Sequence, residues 1–255
     1  MIRLLLSLLL ILSVPAAQAQ TEEIVLGLSQ NRVAITARFD GSDILIFGAV
    51  KRESAIPDSD LDVIITVMGP KAPVKVRRKE RKFGLWINTA AVEVDSAPSF
   101  YAVVSSGKLR EVLKNIENQR HKITVERAIR SVGAPSELGD AQDFPRALMR
   151  IQRNNGNYRL LENAVEVDQQ TLFRSSIALP ANLTEGSYKA RIFLTRNGNV
   201  VSDFETKIDV RKVGLERLLY NMAQEQAPLY GLLSIVIAIL AGWGASAIFR
   251  LLRDG

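Results

Sequence analysis

Two long apolar runs bracket a chain whose middle alternates between apolar and polar positions. Leu4–Leu12 is almost unbroken, and Pro228–Phe249 contains no charged side chain. Between them, short alternating runs separated by turn residues predict strands over Glu23–Leu28, Arg32–Arg38, Asp43–Val50, Leu61–Met68, Val74–Arg78, Phe83–Asn88, Ala91–Val94 and Phe100–Val104. Asp40-Gly41-Ser42, Pro57-Asp58-Ser59-Asp60, Gly69-Pro70 and Asn88-Thr89 supply the turns. Residues 107–157 change period: Leu109, Val112, Leu113 and Ile116, then Ala147, Leu148 and Ile151 after Pro145, recur at helical spacing around a polar loop, Ser131–Asp140. Over 158–212 strands return. Tyr188, Ala190, Ile192 and Leu194 face one way there, and Asn197-Gly198 is a strong hairpin signal before Phe204, Thr206, Ile208 and Val210. The pattern predicts a mainly β fold with some α: immunoglobulin-like antiparallel β-sandwich architecture, read as a module at 20–106, a helical connection and a second β-rich module at 158–212. The second region could instead complete the first sandwich.

The two apolar ends set a topology. Met1-Ile2-Arg3, the run behind it and Ala17-Gln18-Ala19 have the form of a cleaved signal peptide over 1–19. The charge-free segment 228–249 would extend about 33 Å as a helix, enough to cross a bilayer. Arg250 and Arg253 follow it, which places the tail 250–255 in the cytoplasm and residues 20–227 across the membrane. Leu215, Leu218, Leu219 and Met222 make 213–227 an amphipathic juxtamembrane helix.

Composition narrows the chemistry. With no cysteine and a single histidine, the chain has no disulfide framework, thiol nucleophile, Cys-ligated metal or multi-His site. No cofactor or metal is expected. The formal charge of +6 raises the question of nucleic acid. Part of that charge belongs to the membrane flanks, and an exported domain does not meet nucleic acid, so that class drops out.

Few motifs remain. Asp58-Ser59-Asp60-Leu61-Asp62 begins like a calcium loop but has Val63 and Gly69 where an EF-hand needs Gly and Glu. Ser105-Ser106-Gly107-Lys108 matches S-x-x-K without its companion motifs, and a helix N-cap explains the serine equally well. His121 sits in a polar helix end. The most polarised segment is Lys71–Lys82, with Lys75, Arg77, Arg78, Lys79, Arg81 and Lys82 beside only Glu80. It reads either as a solvated hairpin, basic throughout its turn at Arg78–Lys82, or as a docking surface for anionic lipid or an acidic partner. In the apolar C-terminal segment Ser234, Ala238, Gly242 and Ser246 recur every four residues, a small-residue face suited to helix packing in lipid.

Several stretches taken together resemble an alphaproteobacterial family of transmembrane proteins of uncharacterised function. They are Leu28-Ser29-Gln30 with Val33-Ala34-Ile35-Thr36, Ile44–Ala49, Val76–Arg81 with Gly84-Leu85-Trp86-Ile87-Asn88, Pro98–Val103, Pro180-Ala181-Asn182, Gly186-Ser187-Tyr188, and Leu229-Tyr230-Gly231 with Ala241-Gly242-Trp243. The resemblance implies an inner-membrane protein with a periplasmic domain, brings no catalytic residues, and puts Trp86 beside the basic segment in one family motif. The expected function is a non-enzymatic accessory protein that partners an integral membrane protein, such as an exporter, or itself through the membrane helix. A tethered binding domain for a small anion or envelope polymer is the alternative, and a hydrolase of unfamiliar type the third.

Overall fold

The computed structural model describes residues 22–36, 39–131, 142–213, 222–225 and 227–253. The signal peptide, most of the polar loop, the greater part of the juxtamembrane segment and the last two residues lie outside the described residues.

The chain is mainly β, in several sheets. One sheet has four strands in the order β1 (Glu23–Leu28), β3 (Gly41–Lys51), β10 (Leu172–Pro180) and β9 (Glu166–Asp168), all antiparallel. The second has six, in the order β2 (Arg32–Ile35), β12 (Asn199–Lys212), β11 (Gly186–Arg196), β4 (Asp62–Met68), β7 (Tyr101–Ser105) and β8 (Tyr158–Leu161). Its outermost pairs, β2 with β12 and β7 with β8, are parallel. The remaining strands, β5 (Lys71–Lys82) and β6 (Leu85–Pro98), pair with each other, and Ser96 of β6 adds a single antiparallel bridge to Arg130.

The inward faces of the two large sheets share one core. Ile44, Ile46, Phe173 and Ile177 come from the first sheet, and Val63, Ile65, Ala102, Tyr188, Ala190, Ile192 and Leu194 from the second. The alternation along β10 is regular, with Phe173, Ser175, Ile177 and Leu179 buried between exposed neighbours, as expected of a strand wet on one side. Strand β4 differs, because Val63 to Val67 are buried without interruption. Its outer face is covered too: Ile64, Tyr101, Val103 and Phe193 pack under Val112, Leu113, Ile123, Val125 and Ala128. Val112 belongs to α1 (Leu109–Val112), Leu113 and Ile123 flank α2 (Asn115–His121), and Val125 and Ala128 belong to α3 (Val125–Ala128). A strand buried on both faces has no polar face to alternate, so its buried run is apolar except for Thr66.

The expected division into two β modules is corrected by these pairings. β10 joins β3 and β11 joins β4, so both strand-rich regions build the same pair of sheets. Neither half of the sequence could bury its own inward face alone.

At one end of the sheets the first described residue is clasped. The Glu22 carboxylate accepts Arg52 Nε at 2.6 Å, and Arg196 Nη2 and Nε at 2.9 and 3.2 Å. All three side chains are buried, and the arginines also donate to the carbonyls of Gln170 and Ser59. Burial pushes the pKa of Glu22 upward, but the hydrogen bonds and charges of the two guanidiniums outweigh it and hold the carboxyl below its ordinary value.

Helix α4 (Asp143–Asn154) packs on the β5–β6 ribbon, and helix α5 (Ala227–Arg253) closes the described chain. Among the described residues no helix is long and apolar enough to cross a membrane. Side chains along α5 are described at 227–228 and 230–246, which leaves out part of the charge-free stretch. Those that are described, from Leu232 through Ile235, Ile237 and Ile239 to Trp243, are exposed.

Candidate functional site

Strands β5 and β6 form an arm that prolongs the β4–β7 pair past the end of its sheet. The ladder runs from Met68 opposite Tyr101, through Gly69 N–H to Phe100 O at 2.8 Å and Ser99 N–H to Pro70 O at 2.9 Å, to Lys71 opposite Pro98. With 12 residues in β5, the arm extends about 40 Å at the rise of an extended strand.

Its proximal half has a small core of its own. Val76, Val92, Val94 and Ala97 pack against Phe144 and Leu148, which lie one helical turn apart on α4. Pro145 sits in the first turn of α4, where the missing N–H costs nothing. At the root Lys71 Nζ donates to Ala128 O at 3.3 Å. Burial, with Arg191, Lys122 and Lys189 nearby, lowers the Lys71 pKa.

The distal half has no such support, and every residue from Lys79 to Asn88 is exposed. The turn is Phe83-Gly84, between Lys82 and Leu85, with φ of 51° and 82°. This two-residue turn with both φ positive ordinarily selects Asn-Gly. A bulky side chain in the left-handed region costs about 1–2 kcal/mol, yet here Phe83 is held there fully exposed (104%). Leu85 and Trp86 beside it are 70% and 69% exposed.

Charge surrounds this apolar tip. Arg81 stands opposite Trp86, Lys82 opposite Leu85 and Lys79 opposite Asn88, so cations and apolar groups share both faces of the ribbon. Further down, Arg77, Arg78 and Lys79 face Arg146 and Arg150 of α4 across an open cleft of about 660 Å³ that Asp143 also lines. Arg78 Nη2 lies 4.0 Å from Asp143 Oδ2.

The arm leaves the sheet at a definite end. Met68 is level with Lys189, which pairs with Lys207, and Gly186 pairs with Val210. Pro70 at the root abuts Gly186, where an added Cβ would stand 3.0 Å from the proline ring. The arm therefore springs from the end at which β12 finishes at Lys212, the strand that leads in sequence to α5. The Glu22 clasp, at Arg196, is at the opposite end of β11.

The family described as "Putative transmembrane protein" (Alph_Pro_TM) matches residues 23–251, spanning both sheets, the arm and α5. The chain belongs to this family. No curated protein matches the sequence.

The structure brings Lys75, Arg77, Arg78, Lys79, Arg81, Lys82 and Trp86 onto the one arm, and it corrects how they are arranged. Arg78–Lys82 is strand rather than turn, and the expected strands at Phe83–Asn88 and Ala91–Val94 are a single β6. Asn88-Thr89 marks a bulge, where Arg78 opposes Ala90 and the next residue, Lys79, opposes Asn88. On α5, Ser234, Ala238, Gly242 and Ser246 are exposed, with Ser234 Oγ donating to Tyr230 O at 2.9 Å.

The remaining motif residues serve the fold separately. Ser105 Oγ donates to Gly107 O at 2.6 Å, Lys108 pairs with Glu111, and the His121 ring lies edge-on to Phe193 and 3.5 Å from Glu117. Asp62 accepts the hydroxyl of Ser106 at 2.8 Å. One surface went unread in the sequence: Val25, Leu45, Phe47 and Leu172 are exposed on the outward face of the four-stranded sheet. Alternation held the signal, since Leu45 falls between buried Ile44 and Ile46, but an exposed apolar residue in a strand is ordinary until its neighbours in space are known.

Proposed function

We propose that the chain is an exported, membrane-anchored docking protein without enzymatic activity, whose globular part stands in the periplasm and whose arm and membrane helix make its contacts. The observation that carries this reading is the arm: about 40 Å of ribbon whose outer half is exposed at every residue and ends in Phe83, Leu85 and Trp86. An isolated two-stranded ribbon is marginal in water, so such a tip is suited to contact with something else.

The scaffold is an immunoglobulin-like sandwich in this reading. The sheet β1-β3-β10-β9 corresponds to the A-B-E-D order of that fold, and β12-β11-β4 to G-F-C. The Tyr188 hydroxyl donates to Thr184 O at 2.9 Å near the start of β11, which supports a tyrosine corner. The arm is then an insertion after strand C, and core packing alone stands in for the missing disulfide.

Residues 1–19 are the export signal, 228–249 the membrane crossing and 250–255 the cytoplasmic tail. Support comes from the charge-free run, the basic residues after it, and the family's description as transmembrane. Within the bilayer, Ser234, Ala238, Gly242 and Ser246 form the face that packs on an integral membrane protein, such as an exporter, or on a second copy. Among the described residues, beyond the helix's own adjacent backbone, no atom lies within 4 Å of where a Cβ would stand on Gly231 or Gly242, so a neighbouring backbone has room to approach.

Photocrosslinking from positions 238 and 242 in native membranes tests this, together with purification in mild detergent. A discrete adduct is expected; a monomer without adducts sinks the proposal. The cleft between the arm and α4, with Arg77, Arg78, Lys79, Arg146 and Arg150 around it, favours one second reading. In that reading the cleft holds a small anion or an anionic envelope polymer, and the R146E/R150E pair abolishes retention of such a ligand while leaving the crosslink intact.

A further inference from the structure

We infer that the tip of the arm inserts into the anionic surface of the same bilayer that α5 crosses, making a second membrane contact; this rests on the membrane-anchored reading above. Three independent observations meet here. The first is chemical. Phe83, Leu85 and Trp86 are exposed at the turn, while Arg77, Arg78, Lys79, Arg81 and Lys82 precede them with only Glu80 among them. Aromatic and aliphatic groups ahead of a basic collar suit the boundary between acyl chains and anionic headgroups. The long basic side chains can keep their charges among the headgroups while their stems lie along apolar surface.

The second is dimensional. From Lys79 to the turn the ribbon is unsupported for roughly 17 Å at the rise of a strand, while the interfacial layer on each side of the hydrocarbon is roughly 5–8 Å deep. Phe83 and Leu85 can therefore reach the acyl boundary with Trp86 and Arg81 in the headgroup layer and the α4-supported half still in water. The third is topological. The arm springs from the end of the sheet at which β12 finishes before the chain continues to α5, so arm and anchor leave from one end of the domain.

An acidic protein surface would answer the charge but would leave the apolar tip without a matched partner, so the lipid surface accounts for more of the arm. The strained Phe83 fits the same account, because Asn would suit the turn better and would give up the apolar group.

The test uses the full chain carrying Trp243→Phe, which leaves Trp86 as its single tryptophan. It is reconstituted into vesicles of phosphatidylcholine with or without about a third phosphatidylglycerol. Carbonate-resistant retention in the vesicles reports the anchor separately: a chain that washes out overturns the anchored reading and this inference together. With the anchor in place, the expected result is that lipids brominated near the headgroup end of the acyl chain quench Trp86 in the anionic vesicles. Iodide accessibility should fall at least threefold relative to the zwitterionic ones. The R81E/K82E pair should abolish that difference, and F83S should reduce the lipid quenching severalfold; both sites are fully exposed, and circular dichroism checks the fold. A Trp86 that stays equally open to iodide in both vesicles overturns the inference. So does the same result joined to a photocrosslink from position 86 to a protein in native membranes, which would assign the arm to a protein partner.

Discussion

The guanidinium carbon of Arg78 lies 5.0 Å from the centre of the Phe144 ring. This stacked cation ties the arm to α4 at the level where the ribbon's own apolar core ends, and it divides a supported half from an unsupported one.

Removing the ring should therefore loosen the arm selectively. Phe144→Ala deletes the largest member of a cluster that is separate from the core of the two large sheets and should cost about 3 kcal/mol locally. Hydrogen exchange should show faster amides over 74–78 and 90–94, with the β3–β10 and β4–β11 ladders unchanged. A uniform rise across all strands would mean that the arm and the two large sheets unfold as one unit.

The Glu22 clasp should make stability depend on acid. Its carboxyl lies below the ordinary value, about 4.3 for glutamate, so the folded state binds the proton more weakly than the unfolded state. The stabilisation is fully present above that ordinary value and is lost as pH falls through the lowered one. Glu22→Gln leaves two buried guanidiniums without their counter-charge and should cost about 3 kcal/mol at pH 7. Urea denaturation of the full chain in detergent across pH 3–7 reads both effects. The variant's curve should be flatter below about pH 4.3, and parallel curves would remove Glu22 as the source.

Tyr188 should act through its hydroxyl. Burial raises its pKa, opposed in part by hydrogen bonds to Ser99 and Thr184, so the group stays protonated and donates to the Thr184 carbonyl. Tyr188→Phe keeps the ring in the core and should cost about 1 kcal/mol, a fall of about 2–4 °C in Tm for a domain of this size. An unchanged Tm would show that this hydrogen bond contributes no net stability.

At the turn, Phe83→Asn should stabilise the hairpin, because Asn tolerates the left-handed conformation that Phe83 occupies. Amides near the tip should become better protected. Faster exchange at the tip in the wild type than in this variant would mark the phenylalanine as kept at a conformational cost, and equal exchange would show that Phe83 costs the turn nothing.

Much of the β fold was legible because its signals are local. Tyr188, Ala190, Ile192 and Leu194 alternate along β11 and all enter the core, and Asn197-Gly198 forms the expected turn, with φ of 50° and 76°. Strand pairing was not, since β3 meets β10 across more than a hundred residues and nothing in the local pattern of either strand names its partner. The basic density of the arm was plain, but its length was hidden twice. The real turn contains Phe83, which is no turn residue by propensity, and Asn88-Thr89 carries turn chemistry that serves a bulge. The cleft with α4 depends on where a distant helix packs, so Arg146 and Arg150 gave no sign of lying near Arg77.

The Glu22 clasp also sets an order of events. Glu22 meets Arg52 just past β3, but its second guanidinium lies 174 residues further along the chain, so a polypeptide delivered N-terminus first carries a half-paired carboxylate until nearly the whole domain has followed. β1 can zip onto β3 early with Arg52 in place, but the clasp is complete only when the β11–β12 hairpin arrives. The last stitch is thus timed by the far end of the domain, and a chain cut short before Arg196 would present a half-fastened first strand to proteases.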